Sequence, residues 1–171
     1  MQKVIKIIIL LIFLFVIGIF YVSLTRDTNY NTSSLINKDT PEFKIISFDE
    51  SNFYTRDDIK KNDFTLINFW SSWCAPCKIE HPVLMKLSQT KNLMILGINF
   101  KDKELQAKTF LSELGNPYDL LAKDKNGKQS VKFGIYGIPE SILINKELMI
   151  IQKFVGPLSF DDYNNILKII E

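Results

Sequence analysis

The feature that most constrains this chain is a pair of cysteines set between a strand-like run and a helix-like run. Thr65-Leu66-Ile67-Asn68-Phe69-Trp70 has the length and apolar character of a buried strand. Trp73-Cys74-Ala75-Pro76-Cys77 follows, and the residues after it open an amphipathic helix. These two cysteines are the only ones in 171 residues. A Cys-x-x-Cys pair in that setting reads as a redox dithiol. Cys74 falls at the helix N-terminus, where unpaired N–H groups and the helix dipole favour negative charge. The placement predicts a Cys74 thiol more acidic than free cysteine, whose pKa is about 8.5. Pro76 has no N–H to lose and suits the first helical turn.

Two structural uses of the pair compete with this reading. A structural zinc site takes about four ligands, and the chain offers two cysteines and one histidine, His81. A purely structural bridge is the other, but closing so short a loop constrains the unfolded chain little.

The N-terminal region is of a different kind. Ile7 to Leu24 is 18 residues without a charge and almost wholly apolar. As a helix it spans about 27 Å, close to the roughly 30 Å of a bilayer core. Lys3 and Lys6 precede it, whereas Arg26 and Asp27 follow and cancel. The positive-inside bias puts the N-terminus in the cytoplasm and everything after Leu24 outside. A cleaved signal peptide is the alternative, but the run is long for one and no Ala-x-Ala-like site follows. The expected organisation is residues 1–25 as cytoplasmic N-terminus and transmembrane anchor, 26–40 as linker and 41–171 as globular domain. The linker is polar and turn-prone, with an end-to-end reach of about 20 Å. The net charge of +2 resides in residues 1–27, which hold three bases and one acid; the other 18 bases and 18 acids cancel. That leaves no basic patch or stripe of the kind a nucleic-acid-binding protein needs.

Within the domain the periodicities predict strands at Phe43–Phe48, Thr65–Trp70 and Leu93–Phe100. Ser141–Asn145 and Met149–Val155 form a hairpin turning at Lys146-Glu147. Helices are predicted at Thr55–Lys61, Cys74–Gln89, Lys103–Leu114 and Ser130–Phe133. Val83, Leu84 and Leu87 face inward on the second of these, and Ala107, Phe110, Leu111 and Leu114 on the third, with Gly115 as its cap. A capping-box start at Ser159-Phe160-Asp161-Asp162 opens a last helix with Phe160, Tyr163, Ile166, Leu167 and Ile170 on one face. The fold class is α/β: a mixed central sheet flanked by helices, containing a parallel pair with a right-handed crossover, and preceded by one N-terminal transmembrane helix.

This order of elements, with Trp-Cys-Ala-Pro-Cys after the first core strand, resembles the thioredoxin superfamily. Asn68-Phe69-Trp70-Ser71-Ser72-Trp73-Cys74, Glu80-His81-Pro82, Gly97-Ile98-Asn99-Phe100-Lys101-Asp102, Glu113-Leu114-Gly115-Asn116-Pro117-Tyr118 and Gly134-Ile135-Tyr136-Gly137-Ile138-Pro139-Glu140 narrow it. In that order and spacing they resemble the CcmG/DsbE family over roughly residues 41–170. Those proteins are thiol:disulfide oxidoreductases of cytochrome c maturation, anchored by a single pass in the bacterial inner membrane and facing the periplasm. The resemblance implies that Cys74 is the attacking thiolate and Cys77 the resolving thiol of a redox-active disulfide. It makes Ile138-Pro139 a cis peptide facing the dithiol, with the Ile138 backbone offered to an extended partner. Glu80, one helical turn beyond Cys77, would exchange protons with the buried thiol. Asn68 stands where ordinary thioredoxins have an aspartate, which leaves that work to Glu80. Trp73, Pro76, Ile138 and Glu140 would line the substrate groove, and His81 would be structural.

The implied activity is reduction of the Cys-x-x-Cys-His disulfide of apocytochrome c, or of its maturation factors. A membrane-embedded thiol donor would resupply electrons, and no metal or organic cofactor is needed. Two alternatives keep the fold: a general extracytoplasmic reductase, and a non-catalytic module that holds apocytochrome. A peroxidase on this fold would need a peroxidatic cysteine in its own loop with no cysteine three residues on, and the chain has none.

Overall fold

A computed structural model describes residues 2–25 and 35–171 and divides them between two units. The first holds one helix, α1 (Gln2–Leu24), long and apolar enough to cross a membrane, with none of its residues buried. Residues 26–34 of the expected linker lie outside the described residues.

The second unit is built on one seven-stranded sheet. Its elements are β1 (Lys44–Ser47), β2 (Phe53–Thr55), α2 (Arg56–Ile59), β3 (Phe64–Trp70), α3 (Ala75–Leu87), β4 (Leu93–Phe100), α4 (Glu104–Leu114), β5 (Leu120–Asp124), α5 (Lys128–Lys132), β6 (Glu140–Asn145), β7 (Ile150–Val155) and α6 (Phe160–Ile170). The strand order is β2-β1-β5-β4-β3-β6-β7. β3, β4 and β5 run parallel, and β6, β7, β1 and β2 complete the sheet by antiparallel pairing.

Side-chain alternation on β3 builds the two halves of the core. Leu66 and Trp70 enter one cluster with Val83, Leu84 and Leu87 of α3, Ala107 and Phe110 of α4, and Ile166 of α6. Ile67 and Phe69 enter the other, with Ile59, Phe133, Ile142 and Ile144. Each such fully buried aliphatic or aromatic side chain contributes about 1.5–3 kcal/mol relative to exposure.

Three expectations change. Two strands were not predicted, β2 and β5. β5 ends in Lys123-Asp124, which in sequence resembles a solvated turn. In the fold both are buried: the Lys123 ammonium pairs with Glu50 (2.7 Å) and Glu104 (3.1 Å), and Asp124 accepts from the Ser130 N–H and hydroxyl. The domain also starts earlier than Pro41, because Asp39 bridges Met149 and the Thr40 hydroxyl donates to the Leu148 carbonyl at 2.7 Å. Phe160 does not join the apolar face of α6. It is 52% exposed, and the Lys86 ammonium lies 4.6 Å from its ring centroid.

Candidate active site

The dithiol sits where β3 ends and α3 begins. Cys74 is the N-cap of α3, and Pro76 lies in its first turn. Cys74 and Cys77 form a disulfide with Cα atoms 5.3 Å apart. The Cys77 N–H donates to Cys74 Sγ at 3.2 Å, so the cysteine sulfur fills the place a capping oxygen usually takes. Cys74 is 5% exposed and Cys77 2%.

The approach to Cys74 is pinned by a residue to which the sequence reading gave no role. Asp102 accepts from the Ser72 N–H at 2.6 Å and the Ser72 hydroxyl at 2.7 Å, and also from Asn99 Nδ2 and the Lys103 N–H. Burial works to raise the Asp102 pKa, but these donors outweigh it and hold the carboxyl below its usual range. The role of Asp102 depends on parallel register, which no single segment of sequence encodes. Trp70 pairs with Asn99, so the loops leaving β3 and β4 run side by side. Trp73 is 56% exposed, and its Nε1 donates to the Lys101 carbonyl at 3.2 Å.

Below the dithiol a polar row crosses the sheet at one register, Ser141–Asn68–Gly97. Asn68 Nδ2 donates to Ser141 Oγ (3.0 Å) and to Glu80 Oε1 (2.8 Å), and its Oδ1 accepts from the Tyr118 hydroxyl (2.9 Å). Gly97 makes room for that tyrosine, since a Cβ there would lie 2.5 Å from the ring. Tyr118 is stacked on Trp70 with centroids 5.5 Å apart. Glu80 descends from α3 into this row, and its second oxygen accepts from the Leu158 N–H at 2.9 Å. Burial pushes its carboxyl up to about 7, against the two donors.

That shift has a sign for stability. The unfolded carboxyl loses its proton near its ordinary pKa, while the folded one keeps it to about 7. Stability from this group is therefore full at low pH, falls as pH rises through that window, and levels off above it, by about 3 kcal/mol in all. Glu80→Gln is expected to flatten this slope and to be more stable than wild type at pH 8. Its amide suits both neighbours once the Asn68 amide turns over. Urea midpoints between pH 4 and 8 check this, and an unchanged slope in the variant would assign it elsewhere.

The Ile138-Pro139 peptide is cis, and Ile138 packs against both core clusters, one of which contains Cys74 and Cys77. Glu140 corrects an expectation: its carboxylate does not line the groove. It is buried, accepts from the Tyr136 and Gly137 N–H groups at 3.0 Å each, and pairs with buried Lys153 at 2.7 Å. The physical reason is strand alternation. Glu140 and Ile142 face the same way, and Lys153 pairs with Ile142. Lys153 was missed in the sequence, although an inward lysine in an apolar strand is itself a signal. His81 is buried against Phe110, with Nε2 3.1 Å from the Gly115 carbonyl, and burial lowers its pKa. Among the described residues no group of three or more His, Cys, Asp or Glu is placed to hold a metal.

The fold and the bridged Cys-x-x-Cys at a helix N-terminus define a thioredoxin-like protein disulfide oxidoreductase. Residues 36–167 match the Redoxin family model. The thiol:disulfide interchange protein HelX of Rhodobacter capsulatus is 35% identical, covering 80% of this chain and 77% of that protein. The thiol:disulfide interchange protein DsbE of Pseudomonas aeruginosa is 38% identical over 91% of this chain and 86% of its own length. The crystal structure of the thioredoxin domain of a Bacteroides vulgatus thiol-disulfide oxidoreductase superposes with a TM-score of 0.67 at 25% identity, covering 80% of this chain and 98% of that one. The chain belongs to the Redoxin family, in its CcmG/DsbE group of thiol:disulfide oxidoreductases.

Proposed function

We propose that this oxidoreductase reduces the Cys-x-x-Cys-His disulfide of apocytochrome c, or of its maturation factors, from a domain held on the periplasmic face of the inner membrane by α1. The observation that supports the dithiol chemistry is the disulfide-bonded Cys74–Cys77 pair at the N-terminus of α3, with Glu80 buried one turn beyond Cys77 on the same helix, and the likeness to DsbE and HelX thiol:disulfide interchange proteins supports the choice of substrate. A carboxyl that burial has pushed up to about 7 suits proton exchange at neutral pH.

The Cys74 thiolate attacks one sulfur of the substrate disulfide. The Cys74–substrate bond forms, the substrate bond breaks, and one substrate sulfur leaves as a thiolate that takes a proton from water. Cys77 then gives its proton toward the Glu80 carboxylate and attacks Cys74 Sγ, which displaces the second substrate sulfur as a thiolate, to be protonated from Glu80 or water, and leaves Cys74–Cys77 oxidised. Two electrons have passed to the substrate, and a membrane-embedded dithiol restores them. Pro76 and Trp73 sit exposed around Cys74 and would touch the partner. Among the described residues the Ile138 N–H and C=O carry no hydrogen bond, so this backbone is open to an extended substrate chain. Pro139 follows as the wall of that groove.

Partner trapping tests the reading. The full-length Cys77→Ser chain, expressed in its own cells, should stall as a mixed disulfide through Cys74. Apocytochromes c or their maturation factors are expected to dominate the trapped species. A broad set of unrelated exported proteins would make it a general reductase.

A further inference from the structure

We propose that the groove bounded by Lys101 and Lys128, beside the dithiol, receives an acidic side chain of the protein whose disulfide is reduced. This rests on the reductase reading above and adds a charge preference to it. The groove holds about 420 Å³, with Phe100 and Gly127 among its lining, Val131 and Tyr136 exposed along it, and the two lysines contributing its charge.

Three observations point to a substrate carboxylate. First, two of the lining residues tie the groove to the reaction site. Gly137 lines it and precedes the open Ile138 backbone, while on the other side the Lys101 carbonyl holds Trp73, the neighbour of Cys74. A chain paired with Ile138 and advancing by about 3.3 Å per residue would enter it within a few residues of its reactive cysteine.

Second, the backbone is shaped to seat the lysine. Lys101 is a non-glycine residue in the left-handed region (φ +45°), held by its N–H on the Asp124 carbonyl at 3.1 Å. Its side chain crosses Gly127, where a Cβ would lie 2.6 Å from Lys101 Cε and 2.7 Å from Phe100 Cε2. Its ammonium lies 5.1 Å from the Phe100 ring centroid. Left-handed residues of this type concentrate at functional sites.

Third, the charge in the groove is of one sign. Among the described residues no carboxylate lines it. The nearby carboxylates are committed elsewhere, Asp124 to Ser130, Asp102 to Ser72 and Asn99, and buried Glu140 to Lys153 and the Tyr136 and Gly137 N–H groups. A concave site next to the dithiol fits a side chain of the reacting chain better than it fits a flat anionic membrane surface.

The test uses the reduced full chain in nanodiscs of neutral lipid and peptides with a Cys-x-x-Cys-His disulfide. Glutamate, glutamine or lysine is placed at successive positions on either side of the disulfide. Reduction rates are measured, and affinities for the same peptides are read on the Cys74→Ser/Cys77→Ser chain. At one or more positions glutamate is expected to improve both rate and affinity about threefold to tenfold over glutamine, as two exposed ion pairs would. Lys101→Gln/Lys128→Gln should erase the difference, Lys128→Glu should turn it toward lysine, and 0.5 M salt should flatten it. Equal glutamate and glutamine peptides at every position would overturn the proposal, as would a preference surviving the double lysine variant. A response to anionic nanodiscs with none to the peptides would also overturn it, assigning the lysines to lipid. Failure of the reductase reading looks different: no peptide of any charge is reduced, while the affinities on the serine form still decide the groove.

Discussion

Cys74→Ser is expected to abolish disulfide reduction, lowering turnover by more than about 10³-fold, while barely changing the folded domain. A serine hydroxyl in that place does not ionise near neutral pH, and the reaction needs a thiolate. Cys77 does not take over. It lies inside α3, whereas Cys74 stands ahead of the first turn as its cap. The Cys77 N–H and the helix N-terminus both face Cys74 Sγ, so negative charge is stabilised at that sulfur and not at its partner. Serine keeps the capping geometry, because its oxygen accepts the same N–H. Little stability is lost with the bridge, since the loop it closes is so short. Turnover of a model peptide disulfide beside a thermal melt separates the two effects. Residual turnover above the background of a dithiol in solution would show that Cys77 attacks on its own and would reverse the assignment. Cys77→Ser should instead complete one attack and stop, giving a stoichiometric mixed disulfide and no second turnover.

How much of this was legible in the sequence depended on whether a feature was local. β4 was predicted to the residue, because Leu93–Phe100 is apolar but for Gly97 and Asn99 and lies between polar turns. The start of α6 was given by its capping box, in which Ser159 and Asp162 satisfy each other's backbone N–H groups. Cys74 at the start of α3 followed from the strand-like run before it and the amphipathic run after it. Features that need two distant segments were out of reach. That Ser141, Asn68 and Gly97 share one row depends on the register of three strands, and no single segment encodes it. β5 was hidden by Lys123 and Asp124, whose partners on Glu50, Glu104 and Ser130 exist only in the fold. Glu140 was singled out correctly as a neighbour of Pro139 but aimed wrongly. The residue's position is a sequence fact, whereas the face of β6 it occupies follows from pairing with β7.

That pairing leads to the largest stability effect expected in the domain. Lys153→Met should destabilise it by about 3–5 kcal/mol, the usual result of removing one partner from a buried ion pair. For a domain of this size that is a fall in Tm of roughly 10–20 °C. Lys153 is buried with its ammonium 2.7 Å from the Glu140 carboxylate and 2.7 Å from the Gly134 carbonyl. Without it, Glu140 is left as a buried anion supported only by the Tyr136 and Gly137 N–H groups. The pair is not itself a large net stabiliser, because desolvating both charges offsets most of their attraction. A compensated variant should therefore recover most of the loss. In Glu140→Gln/Lys153→Met the amide oxygen still accepts both N–H groups, and no cation is needed. Glu140→Leu/Lys153→Met removes the charge as well, but leaves those two N–H groups without their acceptor. It should recover less stability and should also reduce disulfide turnover, because the segment from Tyr136 to Pro139 leads into the proposed substrate groove. Denaturant midpoints and turnover measured on the three variants distinguish burial of an unpaired charge from loss of the loop's anchor. A loss below about 1 kcal/mol in Lys153→Met would mean that water or a moved side chain compensates Glu140, and that the ion pair does not hold this loop.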